Sequence, residues 1–512
     1  MSGLTRPFGE ICFEAEKRKF RENWEEYFFE HTSFVQKSLD PATYLIVGRR
    51  GSGKSSLTEH FQYQAKYPDP VFINFVKAEN YTPELFDIAK KMEYSTELAI
   101  QKLVEVWDYL IWQLIFKKCS HMHPAIKKAV VFADEEHSSS AVIKLLLKGI
   151  GEKMGIAETG KEIIDYVAKY NRNKNSTEAK EQILKMAEKK AFFIVIDSRE
   201  QCSVKNIYEM WITAALVQFA SEFNTELAYN NIHIKVCIAD EIFPYLKEEY
   251  ITNTLKYVRD VLYMQWRPKD LIRLICWRFF KYLKINKLIE HNEEDIEWNS
   301  YDDINKKIWL PYFGEFIINR RGVKEKTFPY LLRHTHLRPR QLILVCNKMA
   351  AIAADQDSFP YFSEEIIKQA IIESEIDLAD ELINSYANIY PNAGDIISAL
   401  EGMPIEFNGN ELHKVGQRTA SQWTEKFSKM EFSKLVIEMG IVGRKRGVTD
   451  PATSIIRADF EYTIIDRLFV NEKDTCVIHP LFYSKLNINK GNAAKNTCVY
   501  PFPDQYIASM GL

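Results

Sequence analysis

Gly48-Arg49-Arg50-Gly51-Ser52-Gly53-Lys54-Ser55-Ser56 decides how the chain is read, because it satisfies G-x-x-x-x-G-K-[ST] in full. Glycines at these places let the backbone bend until successive N–H groups face inward onto phosphate. Lys54 is expected to reach the β- and γ-phosphates of ATP, and the Ser55 hydroxyl to hold Mg²⁺. The context agrees. Tyr44-Leu45-Ile46-Val47, between Pro41 and Gly48, reads as a short buried strand. Ser56-Leu57-Thr58-Glu59-His60 then begins a helix whose N-terminal dipole points at the anion.

Working outward, four more apolar runs read as strands: 71–76 (VFINFV), 191–196 (AFFIVI), 232–238 (IHIKVCI) and 260–266 (DVLYMQW). They alternate with helical pattern, which predicts an α/β domain with a parallel sheet over residues 41–266. A helical insertion occupies about 82–190, with glycines clustered at Gly149, Gly151, Gly155 and Gly160. Residues 1–40 form a charged and aromatic N-terminal segment, expected to be helical over 14–36. Arg267-Pro268-Lys269-Asp270 opens a helix, and helical pattern runs on through a lid at 267–355. Residues 356–512 mix helices with strands: a helix at 432–439 ends at Gly440, and strand-like pieces follow at 441–447, 456–462 and 475–478. A helix followed by a small hairpin is what a winged-helix module looks like.

Composition narrows the partners. At 512 residues the chain has room for about three domains. Aromatic content of 13% supplies ample apolar surface to bury, which argues against disorder. The formal charge of −3 excludes a polybasic coat for nucleic acid or membrane, so any anion site must be local. Eight cysteines without a C-x-x-C pair read as reduced thiols of a cytoplasmic protein. The most apolar stretch, 104–116, carries Glu105, Asp108 and Gln113 and falls short of the ~20 residues a membrane span needs.

A P-loop enzyme also needs a carboxylate for Mg²⁺ at the tip of a second buried strand. Asp197 ends the AFFIVI run and fills that role, making Ser55 and Asp197 the expected metal ligands. In Asp197-Ser198-Arg199-Glu200-Gln201, Glu200 is either the group that polarises the attacking water or an exposed loop charge. Asp240, ending the next strand, is a sensor of phosphate or a helix cap before Ile242-Phe243-Pro244; an anion beside phosphate favours the cap. Arg340, in Arg338-Pro339-Arg340, either reaches phosphate from the lid or is a surface arginine. Arg444-Lys445-Arg446 is a wing that touches nucleic acid or a solvated turn, and the net charge favours the turn. His121/His123 and His334/His336 lack a cysteine or carboxylate cluster and read as solvated or packing histidines.

Taken together these residues resemble a bacterial family of P-loop ATPases related to the STAND and origin-recognition branches of AAA+ proteins, often found in antiphage defence loci. The resemblance spans nearly the whole chain: Phe8-Gly9 and Ala15-Glu16, the phosphate loop, Asp197, Asp240 with Ile242-Phe243, Trp266 with Leu271 and Arg278, Arg338-Pro339-Arg340, Gly440-Ile441-Val442-Gly443, and His479-Pro480-Leu481-Phe482. It implies an ASCE/AAA+-like core with helical lid and winged-helix-like C-terminal domain. It also implies catalytic roles for Lys54, Asp197, Glu200, Gln201 and Arg340, with Arg199 and Arg259 as weaker candidates acting between subunits. One departure stands out. The family's second acidic motif runs Asp-x-x-Asp-Glu, whereas Gln201 puts an amide in the last place, which implies slow hydrolysis unless Glu200 substitutes.

The implied function is a regulatory ATPase that binds ATP and Mg²⁺ and controls a partner effector by changing shape or forming a homo-oligomer. No effector signature stands in the 40 residues before the core, so the effector is expected to act in trans. The alternative is a DNA-engaging ATPase of the origin-recognition type.

Overall fold

The apolar run before Gly48 becomes β1, Leu45–Gly48, and all of it is buried. In the computed structural model it joins β2 (Val71–Phe75), β3 (Phe192–Asp197), β4 (Ile232–Ala239) and β5 (Leu262–Tyr263) in one sheet of order β2-β3-β4-β1-β5. Every pairing is parallel, with Leu45 opposite Val236 and Asp197 opposite Cys237. Buried on both faces, β3 and β4 keep the continuous apolar character that parallel sheets require. The structure describes residues 6–20, 26–60, 70–75, 82–92, 94–131, 160–197, 202–319, 322–423, 428–447, 455–464, 467–488 and 498–503. The chain divides into two compact units, 33–265 and a second made of 1–32 with 266–512.

Unit 33–265 is a P-loop α/β fold, as the motif and strand pattern predict. The loop after β1 runs into α1, Lys54–His60. Described helices of the insertion span Thr82–Lys90, Thr96–Cys119 (α2), Pro124–Ala129, Gly160–Asn171 and Lys174–Ala187. Gly149, Gly151 and Gly155 lie outside the described residues. Helix α2 packs on α3, Ile207–Leu227, where the buried Trp107 indole donates to Ile212 O at 3.1 Å. The fifth strand is shorter than expected: only Leu262 and Tyr263 pair, with Ile46 and Val47. Asp260 takes a left-handed backbone (φ 48°), which an extended strand does not contain, so the strand starts after it.

In the second unit, Pro268 opens α4, Pro268–Ile285, from its first turn. The helical pattern expected through the lid at 267–355 is interrupted by an antiparallel hairpin, β6 (Phe316–Ile318) with β7 (Lys324–Lys326). Ile317, Ile318 and Val323 are β-branched, and their preference for extended backbone explains the break. Helices α5 (Pro339–Asp355) and α6 (Glu364–Ser385) pack on each other. Further on come β8 (Glu406–Asn408), α7 (Gly409–Gln417), α8 (Lys429–Glu438), β9 (Val442–Arg446), β10 (Ile455–Asp459), β11 (Thr475–Ile478) and β12 (Cys498–Tyr500). These strands form a sheet of order β12-β10-β9-β11-β8. The strand expected at 456–462 stops at Asp459, where Phe460 leads into a 3₁₀ turn.

Residues 1–32 of the N-terminal segment belong to this second unit. Helix Phe13–Phe20 carries Glu16, whose carboxylate receives both ends of the Arg278 guanidinium at 2.7 and 2.9 Å. Phe8 stacks on Phe279 with ring centroids 4.9 Å apart, and Asn347 holds Phe8 N–H and Gly9 O.

Candidate nucleotide site

The phosphate loop is the turn between β1 and α1, at the carboxyl end of a parallel sheet where ligands of such folds bind. Gly51 and Gly53 hold φ at 76° and 94°, which side-chain-bearing residues rarely adopt. A Cβ on Gly48 would lie 2.6 Å from Ser52 Oγ and 3.1 Å from Met264 Cβ, so only glycine fits there. Lys54 is 3% exposed, and its ammonium donates to Gly48 O at 2.8 Å and Arg49 O at 3.2 Å. The lysine thus closes the loop from within while its charge stays at the loop's centre.

The carboxylate expected from the second strand reaches the loop. Ser55 Oγ donates to Asp197 Oδ2 at 2.6 Å, across 142 residues of sequence. Strand β4 lies between β1 and β3, so the two groups meet over its end. Cys237 beneath them registers the same charges: burial pushes its thiol well above the ordinary range, Asp197 adds to the shift and Lys54 opposes it. A hydroxyl and a carboxylate oxygen are hard ligands, the set that suits Mg²⁺.

Strand β4 also delivers a group that the sequence reading passed over. Asp240 N–H donates to Gly48 O at 3.2 Å, continuing the sheet register into the loop. Its neighbour Glu241 is 6% exposed, and Glu241 Oε1 accepts the backbone N–H of Arg50 at 3.2 Å. Two adjacent acids end this strand, and alternation alone does not tell which of them turns inward. The short helix Phe243–Tyr245 takes Ile242 as its N-cap, without a side-chain cap bond. Glu59 of α1 is a second buried carboxylate, and it accepts from Asn74 Nδ2 of β2 at 3.1 Å.

Other expected residues have partners of their own or lie outside the described residues. Arg199, Glu200 and Gln201 fall among those not described. In the second unit, Arg340 donates through Nε to Ile11 O at 3.1 Å and through Nη1 to Glu381 at 3.0 Å. Arg259 donates to Thr225 Oγ1 at 2.7 Å. The wing candidates are ion-paired: Lys445 with Glu406 at 3.0 Å, Arg446 with Asp459 at 3.0 Å and Arg444 with Asp459 at 3.8 Å. His123 caps the helix Pro124–Ala129, His334 meets Glu375 at 3.1 Å, and His336 stacks on Tyr462 at 4.4 Å. Among the described residues no group of three or more His, Cys, Asp or Glu is placed to hold a metal, and no helix is long and apolar enough to cross a membrane.

No family model matches the sequence. No curated protein matches it either. Among solved structures the chain is similar to the Aeropyrum pernix ORC2 protein in its ADPNP-ADP complexes, at 11% identity and a TM-score of 0.36 over 96% of each chain.

Proposed function

We propose that this protein is a P-loop ATPase whose nucleotide site is residues 48–56 with Asp197. The observation that carries the reading is the 2.6 Å contact between Ser55 Oγ and Asp197 Oδ2 beside a lysine buried in the loop. A glycine-rich turn with an accidental lysine has no reason to bring a carboxylate from another strand to the residue after that lysine. In this reading Lys54 and the loop N–H groups bind the phosphates, while the dipole of α1 favours the anion. Ser55 and Asp197 would hold Mg²⁺, which when bound supplies positive charge against the phosphate oxygens. Phosphoryl transfer asks little covalent chemistry of the protein, so positioning and charge are what these residues contribute.

The DNA-engaging alternative would work through the C-terminal module. There the three wing cations are engaged by Glu406 and Asp459, and α8 carries two lysines against two glutamates. Both readings share the nucleotide site, and the ion pairs leave each cation of the wing run with an acidic partner.

Titration calorimetry of ATP with and without Mg²⁺ tests the proposal. Lys54→Ala should weaken ATP binding at least tenfold with the melting temperature kept, and Asp197→Ala should abolish the gain that Mg²⁺ gives. A folded Lys54→Ala protein that binds ATP like wild type would reject the site.

A further inference from the structure

We infer that Glu241 is a positioning residue of the nucleotide site: its buried carboxylate holds the crown of the phosphate loop by accepting the Arg50 N–H. This rests on the reading of residues 48–56 as that site. Three polar groups in the first half of the loop are taken by the protein itself. Gly48 O receives Asp240 N–H and the Lys54 ammonium, Arg49 O receives Lys54 and Ser52 N–H, and Arg50 N–H goes to Glu241 Oε1. Two of these ties, from Asp240 and Glu241, come from the end of β4 and so bind the loop to the sheet from outside. The loop's later N–H groups, at the start of α1, are the ones a phosphate would take.

A carboxylate near an anion site has a cost, since like charge disfavours the bound phosphate. Its benefit is geometric. A loop with left-handed glycines at 51 and 53 has many conformations, and fixing its crown lowers the entropy lost when a ligand binds. A carboxylate makes the stronger kind of hydrogen bond when ionised, and a part-buried N–H left without a partner would be penalised. The bond and the charge therefore act in opposite directions on affinity, and substitution separates them. Glutamine keeps an acceptor oxygen and removes the charge. Methionine keeps the volume and removes both.

Two readouts on the full chain test this: hydrogen exchange of the 48–53 backbone without nucleotide, and ATP·Mg²⁺ affinity by calorimetry. Exchange at Arg50 should be slow in wild type and in Glu241→Gln, and at least tenfold faster in Glu241→Met. ATP affinity should be unchanged or higher in Glu241→Gln and about tenfold lower in Glu241→Met. Equal affinity in both variants, whether equally weak or equal to wild type, would overturn the positioning role. So would an Arg50 amide that exchanges at the unprotected rate in wild type, a result that needs no variant to fold. If wild type binds no ATP while the exchange pattern holds, the nucleotide reading fails and the loop brace stands.

Discussion

Lys235 within β4 and Glu241 just past its end are both buried charged side chains, and each is held by the backbone of another segment. Lys235 is fully buried within β4, where its ammonium donates to Asp40 O at 2.9 Å and Thr43 O at 2.5 Å. Burial lowers its pKa from 10.5 to about 7, with the Asp40 charge opposing the shift. The unfolded chain therefore keeps a proton on Lys235 across a window where the folded protein has released it. Unfolding binds protons there, so stability rises with pH between about 7 and 10.5 and is lowest below 7. Lys235→Met removes this dependence. The stability of wild type relative to Lys235→Met should climb with pH by up to about 1.4 kcal/mol per unit in that window, read from urea midpoints. A flat difference would show that the lysine keeps its proton when folded. Nothing in the run IHIKVCI marks Lys235 as buried, because an isolated lysine in an apolar strand also fits an exposed face.

At the scale of elements, the Gly9–Glu16–Arg278 clamp shows how local conformation and a long-range ion pair depend on each other. Gly9 has φ 88°, and a Cβ there would stand 2.3 Å from Arg278 Nη1 and 2.9 Å from Glu16 Oε2. Both groups are buried, so the bidentate pair is not diluted by water. A buried pair that loses its geometry leaves charges uncompensated, which is where the cost of breaking it lies. Gly9→Ala should destabilise the protein by about 3 kcal/mol, from strained backbone plus a displaced guanidinium. Chemical denaturation measures it, and a loss near zero would mean the clamp is not formed. In sequence, Phe8-Gly9, Glu16 and Arg278 stand only as parts of a family resemblance, and packing alone makes Gly9 the roof over an ion pair.

For the whole molecule, two compact units imply that ligand binding is felt unevenly. ATP that binds residues 48–56 stabilises the unit that contains them, 33–265. At a free concentration one hundred times Kd the linkage is about 2.7 kcal/mol, a factor of about one hundred in the unfolding equilibrium. Amides of β1, β3 and β4 that exchange only by unfolding of their unit should slow by about that factor on adding ATP·Mg²⁺. Amides of β9 and β11, in the other unit, should change little. Equal slowing of both sets would show that the units unfold as one.

Sequence alone sets the α/β class, the place of the glycine-rich loop and the choice of Lys54, Ser55 and Asp197 as candidates. It does so because glycine freedom, apolar runs and motif spacing are local properties. Tertiary structure decided which distant groups meet. Parallel pairing in the order β2-β3-β4-β1-β5 brings Asp197 within 2.6 Å of Ser55, and turns Glu241 under Arg50. It also set the extents that local pattern misjudged, namely the short β5 and the β6–β7 hairpin inside an expected helical lid. Strand pairing and the inward or outward turn of a terminal acid depend on partners many residues away, so no window of sequence contains the information that fixes them.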